Sequence, residues 1–334
     1  MKSSLIYLSL FGVLLATHIS AKPGKKWEAL TRSVEKAGGI IQFNEDGNPD
    51  SLDMYNGNNP LKGRGGKNTA VNDEWLKNIR GVTSLTSLSL SNCDVTDAGM
   101  EYVGTLTNLE SLNLTLTAIT DAGFEHFEKL TKLKSIGMAS AKSTGSGFKH
   151  LNVKNLDNTN FHFTPLNDEG LEAICNVGVI GRFWFAHVHF TDEGAKHLAK
   201  LTQLKTLGIG SNSKESSGES IAHITKLPLE DLSLLDKQAD SIGVRYASKI
   251  KTLKKLDISY APKLTDEDLT AIADLDNLEQ LRIGGSKNIS NDGVQILAKA
   301  KSLKKLTLQR LKNVTEDAVV TLKKTRPDLE VILK

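Results

Sequence analysis

Three histidines, His162, His187 and His189, lie near the middle of the sequence, where they could act as metal ligands. Imidazole nitrogen binds Zn²⁺, but the spacing of these residues is not that of a known zinc site. No acidic residue is obvious as a further ligand. Scattered surface histidines are the favoured interpretation, and we expect no metal and no cofactor.

Arg182 and Trp184 belong to the residue types most enriched in binding hot spots, and they stand two positions apart, on one side of a predicted strand. We hypothesise that a patch around Trp184 contacts a partner. The alternative is that Trp184 packs on its neighbours. Because Thr159 replaces a core leucine nearby, a slip of one residue would also turn Trp184 inward. The hypothetical patch consists of Asn158, Asn160, His162, Arg182, Trp184 and His187.

A Thr-Asp-x-Gly motif recurs along the chain, for example at Thr96–Gly99 and Thr120–Gly123. Its repeated oxygens could suggest a metal or phosphate site. Helix capping is the favoured explanation, because Thr or Asn suits an N-cap and the following Asp suits the positive end of a helix. Apolar residues then follow at helical spacing, so we predict a short helix after each motif.

Signatures of catalysis are missing from the sequence. It contains no Gly-x-Ser-x-Gly and no His-Glu-x-x-His, and Cys93 and Cys175 match no reactive-cysteine pattern. The repeat register places these cysteines roughly 14 Å apart, too far for a disulfide. The net charge of +3 does not argue for nucleic acid, and the basic segment 301–334 is interpreted as a solvated face.

One pattern positions all of these residues: LxxLxL or a near variant recurs ten times at a period of 23 to 25 residues. A unit of one strand and one helix cannot bury its own apolar face, so stacked units must share a core. The sequence predicts an α/β right-handed, curved solenoid with a parallel sheet on the concave face and helices on the convex face. The units begin at Leu85, Leu109, Leu133, Leu156, Ile180, Leu204, Leu229, Leu253, Leu278 and Leu303.

This repeat resembles that of the leucine-rich-repeat family over about residues 49–334. The Thr-Asp-x-Gly helix start is similar to the ribonuclease-inhibitor-like and F-box-associated subclass, and to exported repeat proteins of planctomycete-type bacteria. The resemblance implies a horseshoe-shaped binding protein without indicating its partner. No F-box-like segment precedes the repeats, so the ubiquitin-ligase role of some relatives is not expected.

The first 21 residues are typical of an export signal, with Lys2 ahead of the apolar run Leu5–Ala16 and a small residue at Ala21. We predict cleavage after Ala21 and a secreted or periplasmic protein without stable membrane insertion. An uncleaved N-terminal anchor is the alternative.

The segments flanking the repeats, which we place at 71–325, are predicted to cap the core. Residues 22–55 should form a helix over Trp27–Gly38 and a hairpin of Ile40–Phe43 with Ser51–Tyr55. Residues 56–70 should form a surface loop, in which Gly63–Gly66 lacks the spacing of a phosphate-binding P-loop. Residues 326–334 should form a closing strand.

Residues that alternate with the core leucines should face the concave side, including a third position in each unit such as Ser91, Thr115, His162 and Ala186. We expect a protein partner there, with a glycan as the alternative ligand and no nucleic acid. A structural or assembly role in the cell envelope is the alternative function, and an enzyme is less favoured. The oligomeric state stays open.

Overall fold

The computed structural model describes residues 22–55 and 66–334. The predicted signal peptide, residues 1–21, and most of the predicted surface loop, residues 56–70, lie outside the described residues. In the described part, no helix is long and apolar enough to cross a membrane.

Most of the described strands pair side by side in one 13-stranded sheet. The strands are β1 (Ile40–Phe43), β2 (Pro49–Asp53), β3 (Asn68–Asn72), β4 (Ser87–Ser89), β5 (Cys93–Asp94), β6 (Ser111–Asn113), β7 (Ser135–Gly137), β8 (Asn155–Asn160), β9 (Val179–Val188), β10 (Thr206–Ser211), β11 (Asp231–Leu234), β12 (Lys255–Ile258), β13 (Gln280–Gly284), β14 (Lys305–Gln309) and β15 (Glu330–Leu333). The sheet begins with the antiparallel hairpin β1–β2 and continues through parallel neighbours to β15. Strands β3 and β5 form a separate parallel pair. The predicted parallel sheet is confirmed.

The leucines of the repeated pattern form the core beneath the sheet. Leu88, Leu112 and Ile136 occupy one register position in neighbouring strands, and all three are buried. Thr159 takes this position in β8, between Ile136 and Phe183, and is also fully buried. The register therefore passes without a slip through the units whose sequence is least regular.

Short helices on the opposite face follow the motif that was predicted to cap them. Asn167, Thr191 and Ser290 each occupy an N-cap and accept a hydrogen bond from the glycine amide three residues later. Capping is confirmed in these units, whereas the Thr96 side chain makes no such bond. The α-helices of the described chain are α1 (Glu28–Lys36), α2 (Asp73–Leu76), α3 (Met100–Val103), α4 (Asp168–Cys175), α5 (Asp192–Ala195), α6 (Ser241–Ala247), α7 (Asp266–Ala273), α8 (Asn291–Ile296) and α9 (Glu316–Thr325).

Several convex segments form 3₁₀-helices instead of α-helices. The longest of these in the described chain are Gly218–Ile224, Asp121–His126, Ser146–His150 and Lys196–Lys200. A 3₁₀-helix rises about 2.0 Å per residue and an α-helix about 1.5 Å, so the former spans the same distance with fewer residues. Because each repeat is short, few residues are available for the convex side, and a 3₁₀-helix suits such a segment. Shorter 3₁₀ turns lie at Lys25–Trp27, Lys77–Ile79, Asp97–Gly99, Asp236–Gln238 and Leu297–Lys299.

The Asp of the motif also binds the next unit, which the sequence did not indicate. The Asp168 carboxylate accepts hydrogen bonds from the amide and the hydroxyl of Thr191, both at 2.7 Å. Asp97 binds Thr120 in the same way, at 2.8 and 2.6 Å. We call this series the Asp ladder. Its rungs are Asp73–Thr96, Asp97–Thr120, Asp121–Thr144, Asp168–Thr191, Asp192–Ser217 and Asp266–Ser290.

The glycine of the motif makes room for the carboxylate of the preceding unit. A Cβ atom on Gly194 would lie 2.0 Å from Oδ1 of Asp168. In two units Gly145 and Gly218 take the place of the Asp, and the ladder is interrupted there. The Thr of the motif thus caps its own helix, and the Asp binds the next unit. The Gly leaves space for the Asp carboxylate of the previous unit. The motif needs no metal or phosphate to explain it.

At the end of β9, and just after several other strands, the chain turns through a residue with positive φ. Leu116, Phe163 and His187 have φ values of 60, 56 and 56°. This left-handed conformation is unfavourable for a bulky residue. In each of these turns, the preceding side chain is directed toward the core.

The third position predicted to face the concave side is buried in most units, and the prediction is wrong there, whereas Ala139, Ser259 and Gln309 are partly exposed. Ser91, Thr115 and Ala186 are all buried, and His162 exposes only 7 % of its surface. Strands β4 and β6 end two residues before this position, so the alternation of side chains no longer applies.

The ends of the sheet carry the predicted capping elements with shifted bounds. The N-terminal helix is α1, and β2 begins at Pro49 instead of Ser51. Strand β3 occupies the end of the segment that was predicted to be a loop. At the other end, β15 pairs with β14 and covers the last unit.

Candidate functional site

Strands β8 and β9 bring four of the six predicted patch residues together on the concave face. Asn158 is aligned with Arg182, and Asn160 with Trp184. Arg182 is exposed, and the other three are partly exposed. We call these four residues the concave patch. His162 and His187 lie instead at the turn where the strands end.

The indole of Trp184 lies across the neighbouring strand, not in the core. Its register partner in β10 is Gly208, and a Cβ atom there would come within 2.4 Å of the ring. Because Gly208 has no side chain, the fused bond of the indole rests against its backbone while part of the ring stays open to solvent. Trp184 therefore packs on a neighbour and faces the concave side.

A run of buried phenylalanines supports the patch from below. Phe148 contacts Phe161 with a distance of 5.3 Å between ring centroids, and Phe161 contacts Phe183 at 6.5 Å. Phe183 in turn lies 4.4 Å from Phe185. Phe183 and Phe185 flank Trp184 in sequence and point to the opposite side of the sheet. This packing fixes β9 in place and so fixes the position of the indole.

Arg182 supplies the charge of the concave patch. The guanidinium of Arg182 forms no ion pair with a carboxylate of the described residues. Asp231 lies two strands from Arg182, and both residues are aligned with Thr206 of the intervening strand β10. Burial raises the pKa of Asp231, and the nearby Lys255 and Arg182 oppose this effect. The patch thus offers an unpaired cation beside an aromatic ring.

An aromatic group forms the edge of the sheet next to the patch. The ring of Phe163 stacks on His187 with centroids 4.3 Å apart and an interplanar angle of 14°. His162 lies 4.4 Å from Phe163 and 5.1 Å from His187. Burial, together with the neighbouring His187, lowers the pKa of His162 to about 4. His162 is therefore neutral at physiological pH.

His187 is bound to Asp236, two units further along the chain. Its Nδ1 lies 2.9 Å from Oδ1 of Asp236, and its amide donates to Oδ2 at 2.6 Å. The intervening unit contributes Gly210, where a Cβ atom would lie 2.7 Å from the same carboxylate. We call this contact the His187–Asp236 clasp. His187 was predicted on a connecting loop, but β9 continues to Val188.

The remaining reactive residues do not form a second site. Among the described residues, no group of three or more His, Cys, Asp or Glu side chains could hold a metal ion. His189 is exposed and lies outside the aromatic group. Cys93 and Cys175 are buried and belong to no disulfide, and burial raises the pKa of Cys175 to about 12.

Three residues around the patch were not singled out from the sequence. Gly208 and Gly210 could have been identified from the sequence, because glycine inside a strand often marks a close approach of other atoms. Asp236 carried none, since its partner lies 49 residues earlier in the chain.

Comparison with known families identifies the repeat. Residues 83–104, 105–125 and 249–273 match the family model described as "Leucine Rich repeat". Each matched segment contains a strand of the sheet and all or most of the short helix that follows it. The chain folds as a leucine-rich-repeat solenoid. A search of curated protein sequences gave no match.

Solved structures similar to this leucine-rich-repeat solenoid include an internalin from Listeria monocytogenes, which is 15 % identical, with 77 % of this chain and 69 % of that chain covered and a TM-score of 0.43. TLR13 in its complex with ssRNA13 is also 15 % identical, with 77 and 46 % covered and a TM-score of 0.42. A complex of Rad7 and Elc1 in yeast is 15 % identical, with 79 and 84 % covered and a TM-score of 0.40.

Proposed function

We propose that this leucine-rich-repeat solenoid is a non-enzymatic binding protein that recognises a protein partner through the concave patch. The observation that carries the proposal is the Trp184 ring held against Gly208 beside the unpaired Arg182. Side chains of these two types dominate binding energies when a partner covers them. The buried phenylalanines hold the patch in place before binding, which lowers the entropic cost of association.

The composition of the patch favours a protein over a glycan as the partner. Protein interfaces concentrate aromatic residues and Arg at their centre and polar residues at their rim. Here Trp184 and Arg182 form the centre, and Asn158 and Asn160 form one side of the rim. An enzyme would need an enclosed site with converging polar groups, whereas the patch lies open on the sheet.

Two finer points belong to the same proposal. The apolar run and Ala21 at the N-terminus support export, so we place the binding event in the periplasm or outside the cell. The Thr-Asp-x-Gly helix start supports the ribonuclease-inhibitor-like repeat subclass and a kinship with exported repeat proteins of planctomycete-type bacteria.

The test uses the chain from Lys22 onward, immobilised and exposed to cell-envelope and culture-medium extracts of the native organism. An Arg182→Ala, Trp184→Ala double variant is compared with an Arg245→Ala, Tyr246→Ala variant, which removes an Arg and an aromatic ring from α6 on the convex side. We expect one protein to be retained by the wild type and by the α6 variant, and lost from the patch variant. Equal retention by all three would refute the concave patch as the site.

A second variant tests the position of the indole without removing it. In Gly208→Ala the new methyl group would overlap the Trp184 ring at 2.4 Å, so the ring must move. We expect binding to fall by about tenfold or more, the effect of losing 1.4 kcal/mol, while the circular dichroism spectrum stays unchanged. Unchanged affinity would mean that the partner does not contact the ring.

A further inference from the structure

A line of exposed cations follows one edge of the sheet, away from the concave patch. Each turn after β10 to β14 contributes at least one of them, and the lysine recurs with the period of the repeat. All six side chains are exposed. We call this line the basic stripe, and it consists of Lys214, Lys237, Lys263, Lys287, Arg310 and Lys312.

Ion pairing distinguishes this edge from the opposite one. At the other end of the same strands, Lys254 lies 2.8 Å from Glu230 and Lys304 lies 3.0 Å from Glu279. Among the described residues, no carboxylate forms an ion pair with a cation of the basic stripe. In the described part of the chain, the one side-chain hydrogen bond of the stripe runs 2.5 Å from Nζ of Lys237 to the Ser213 carbonyl, which leaves the charge uncompensated.

Acidic residues on these turns offset only part of the charge of the basic stripe. Glu215, Asp236 and Asp240 contribute three carboxylates against six cations, and the carboxylate of Asp236 is bound to His187 in the clasp. The basic stripe therefore keeps a net positive charge.

The turns stay stacked, so the cations form a continuous line. Asn313 donates to the Lys287 carbonyl at 2.7 Å, and isolated bridges join Thr265 to Asn288 and Ser290 to Asn313. Five units at about 4.8 Å per strand give a line about 19 Å long. An open cavity of about 340 Å³ lies within it and is lined by Ser216, Ser217, Asp236, Lys237, Ala239, Asp240, Pro262 and Lys263.

Like charges on adjacent strands repel each other, so this arrangement is unfavourable unless a counter-charge covers it. We infer that the basic stripe binds a linear acidic polysaccharide, with the sugar carboxylates spaced along successive units. One carboxylate per sugar ring gives such a polymer a charge spacing on the scale of the strand spacing. The cavity between Lys237 and Lys263, with the hydroxyls of Ser216 and Ser217, offers room for one sugar ring.

Two other anionic partners fit the basic stripe less well. Single-stranded nucleic acid is bound by aromatic rings that stack on successive bases, whereas Tyr260 is the one exposed large aromatic residue on the described turns of the stripe. An anionic membrane is bound by a face that also inserts apolar side chains, and Tyr260 is likewise the one large apolar side chain exposed there.

The experiment measures binding of the full chain to polygalacturonate by isothermal titration calorimetry. A Lys237→Gln, Lys263→Gln, Lys287→Gln variant is compared with a control that loses the same charge from the paired edge, Lys134→Gln, Lys254→Gln, Lys304→Gln. Neither variant should have a lower unfolding midpoint than the wild type, because exposed ion pairs contribute little to stability and the stripe variant only removes repulsion between like charges.

We expect the stripe variant to bind at least about tenfold more weakly than the wild type, and the control to bind within about twofold of it. Raising the salt concentration should weaken wild-type binding steeply, as for other polyanion contacts. Equal weakening of both variants would overturn the inference, because net charge would then explain the affinity. Absent binding, or tighter binding of single-stranded DNA or of phosphatidylglycerol vesicles, would also overturn it. The stripe variant should still retain the protein partner of the concave patch, which separates this test from that of the proposed function.

Discussion

Replacing Asp121 by Ala should destabilise the solenoid, because this rung of the Asp ladder carries five hydrogen bonds. Its carboxylate accepts from the hydroxyls of Ser143 and Thr144, both at 2.7 Å. It also accepts from the amides of Thr144, Gly145 and Gly147, at 3.0, 3.1 and 3.1 Å. In Asp121→Ala the amides of Thr144 and Gly147 and the hydroxyl of Ser143 lose their acceptor. The Gly145 amide still has Oγ of Ser143 at 3.0 Å, and the Thr144 hydroxyl still has Oγ of Ser146 at 3.2 Å.

The magnitude follows from the three donors left without an acceptor, two amides and the Ser143 hydroxyl. Leaving a buried donor unsatisfied costs about 1–3 kcal/mol. Asp121 is only partly buried, so water reaches part of the site, and the lower value applies to each of the three donors. Ser143 is fully buried, so its hydroxyl counts among them. The sum is a loss of about 3 kcal/mol in the free energy of unfolding.

Urea unfolding measures this loss, and Glu125→Ala provides the control. Glu125 is an exposed residue of the same 3₁₀-helix, so its replacement removes the same charge and should change stability by less than about 0.5 kcal/mol. Hydrogen exchange should show lost protection at the Thr144 and Gly147 amides. If Asp121→Ala matched Glu125→Ala in both measurements, the Asp ladder would have no energetic role.

The same rung predicts a dependence on pH. Burial alone would raise the pKa of Asp121, but the hydrogen bonds from Ser143, Thr144 and Gly147 outweigh burial and leave the pKa below its usual value of 3.8. The stabilisation is therefore fully present above pH 3.8 and is lost as the pH falls through the lower value of the folded state. The stability difference between the wild type and Asp121→Ala should be constant near neutral pH and shrink only in acid.

Three further predictions concern single residues. Oγ1 of Thr159 is buried without a hydrogen-bond partner among the described residues, so Thr159→Val should raise the free energy of unfolding by about 1 kcal/mol; urea unfolding showing a decrease would contradict this. Gly194→Ala should lower the thermal unfolding midpoint, because its Cβ would lie 2.0 Å from Oδ1 of Asp168. Helix propensity alone would favour Ala by about 1 kcal/mol, so a raised midpoint would show that the steric overlap is not the larger effect. Burial raises the pKa of Cys175 to about 12, so a thiol reagent should label it only after unfolding, and labelling of the native protein at the same rate would refute its burial.

The repeated leucines were enough to predict the sheet, because their period carries both the strand positions and the side of each strand that faces the core. Leu88, Leu112 and Ile136 show this alignment directly. The same period located Arg182 and Trp184 on the concave side, since an alternating strand fixes the direction of each side chain.

Contacts between units could not be predicted from the sequence. Capping rules describe one helix, so they assigned Asp168 to its own helix and not to Thr191 of the next unit. Alternation holds only as far as the strand extends, so it placed His162 on the surface, where the left-handed turn at Phe163 instead directs it inward. Whether a partner binds the patch depends on molecules that the chain does not contain.

The His187–Asp236 clasp fixes the number of units between its two ends. Elsewhere in a solenoid each unit contacts its immediate neighbours, so a whole unit can be gained or lost while every junction is still formed. An extra unit between β9 and β11 would move Asp236 away from His187 by about 4.8 Å, one strand spacing. It would also need its own glycine where Gly210 now leaves space for the carboxylate. Changes in repeat number are thus confined to the units outside the clasp, and Trp184 keeps the same neighbours in arrays of different length.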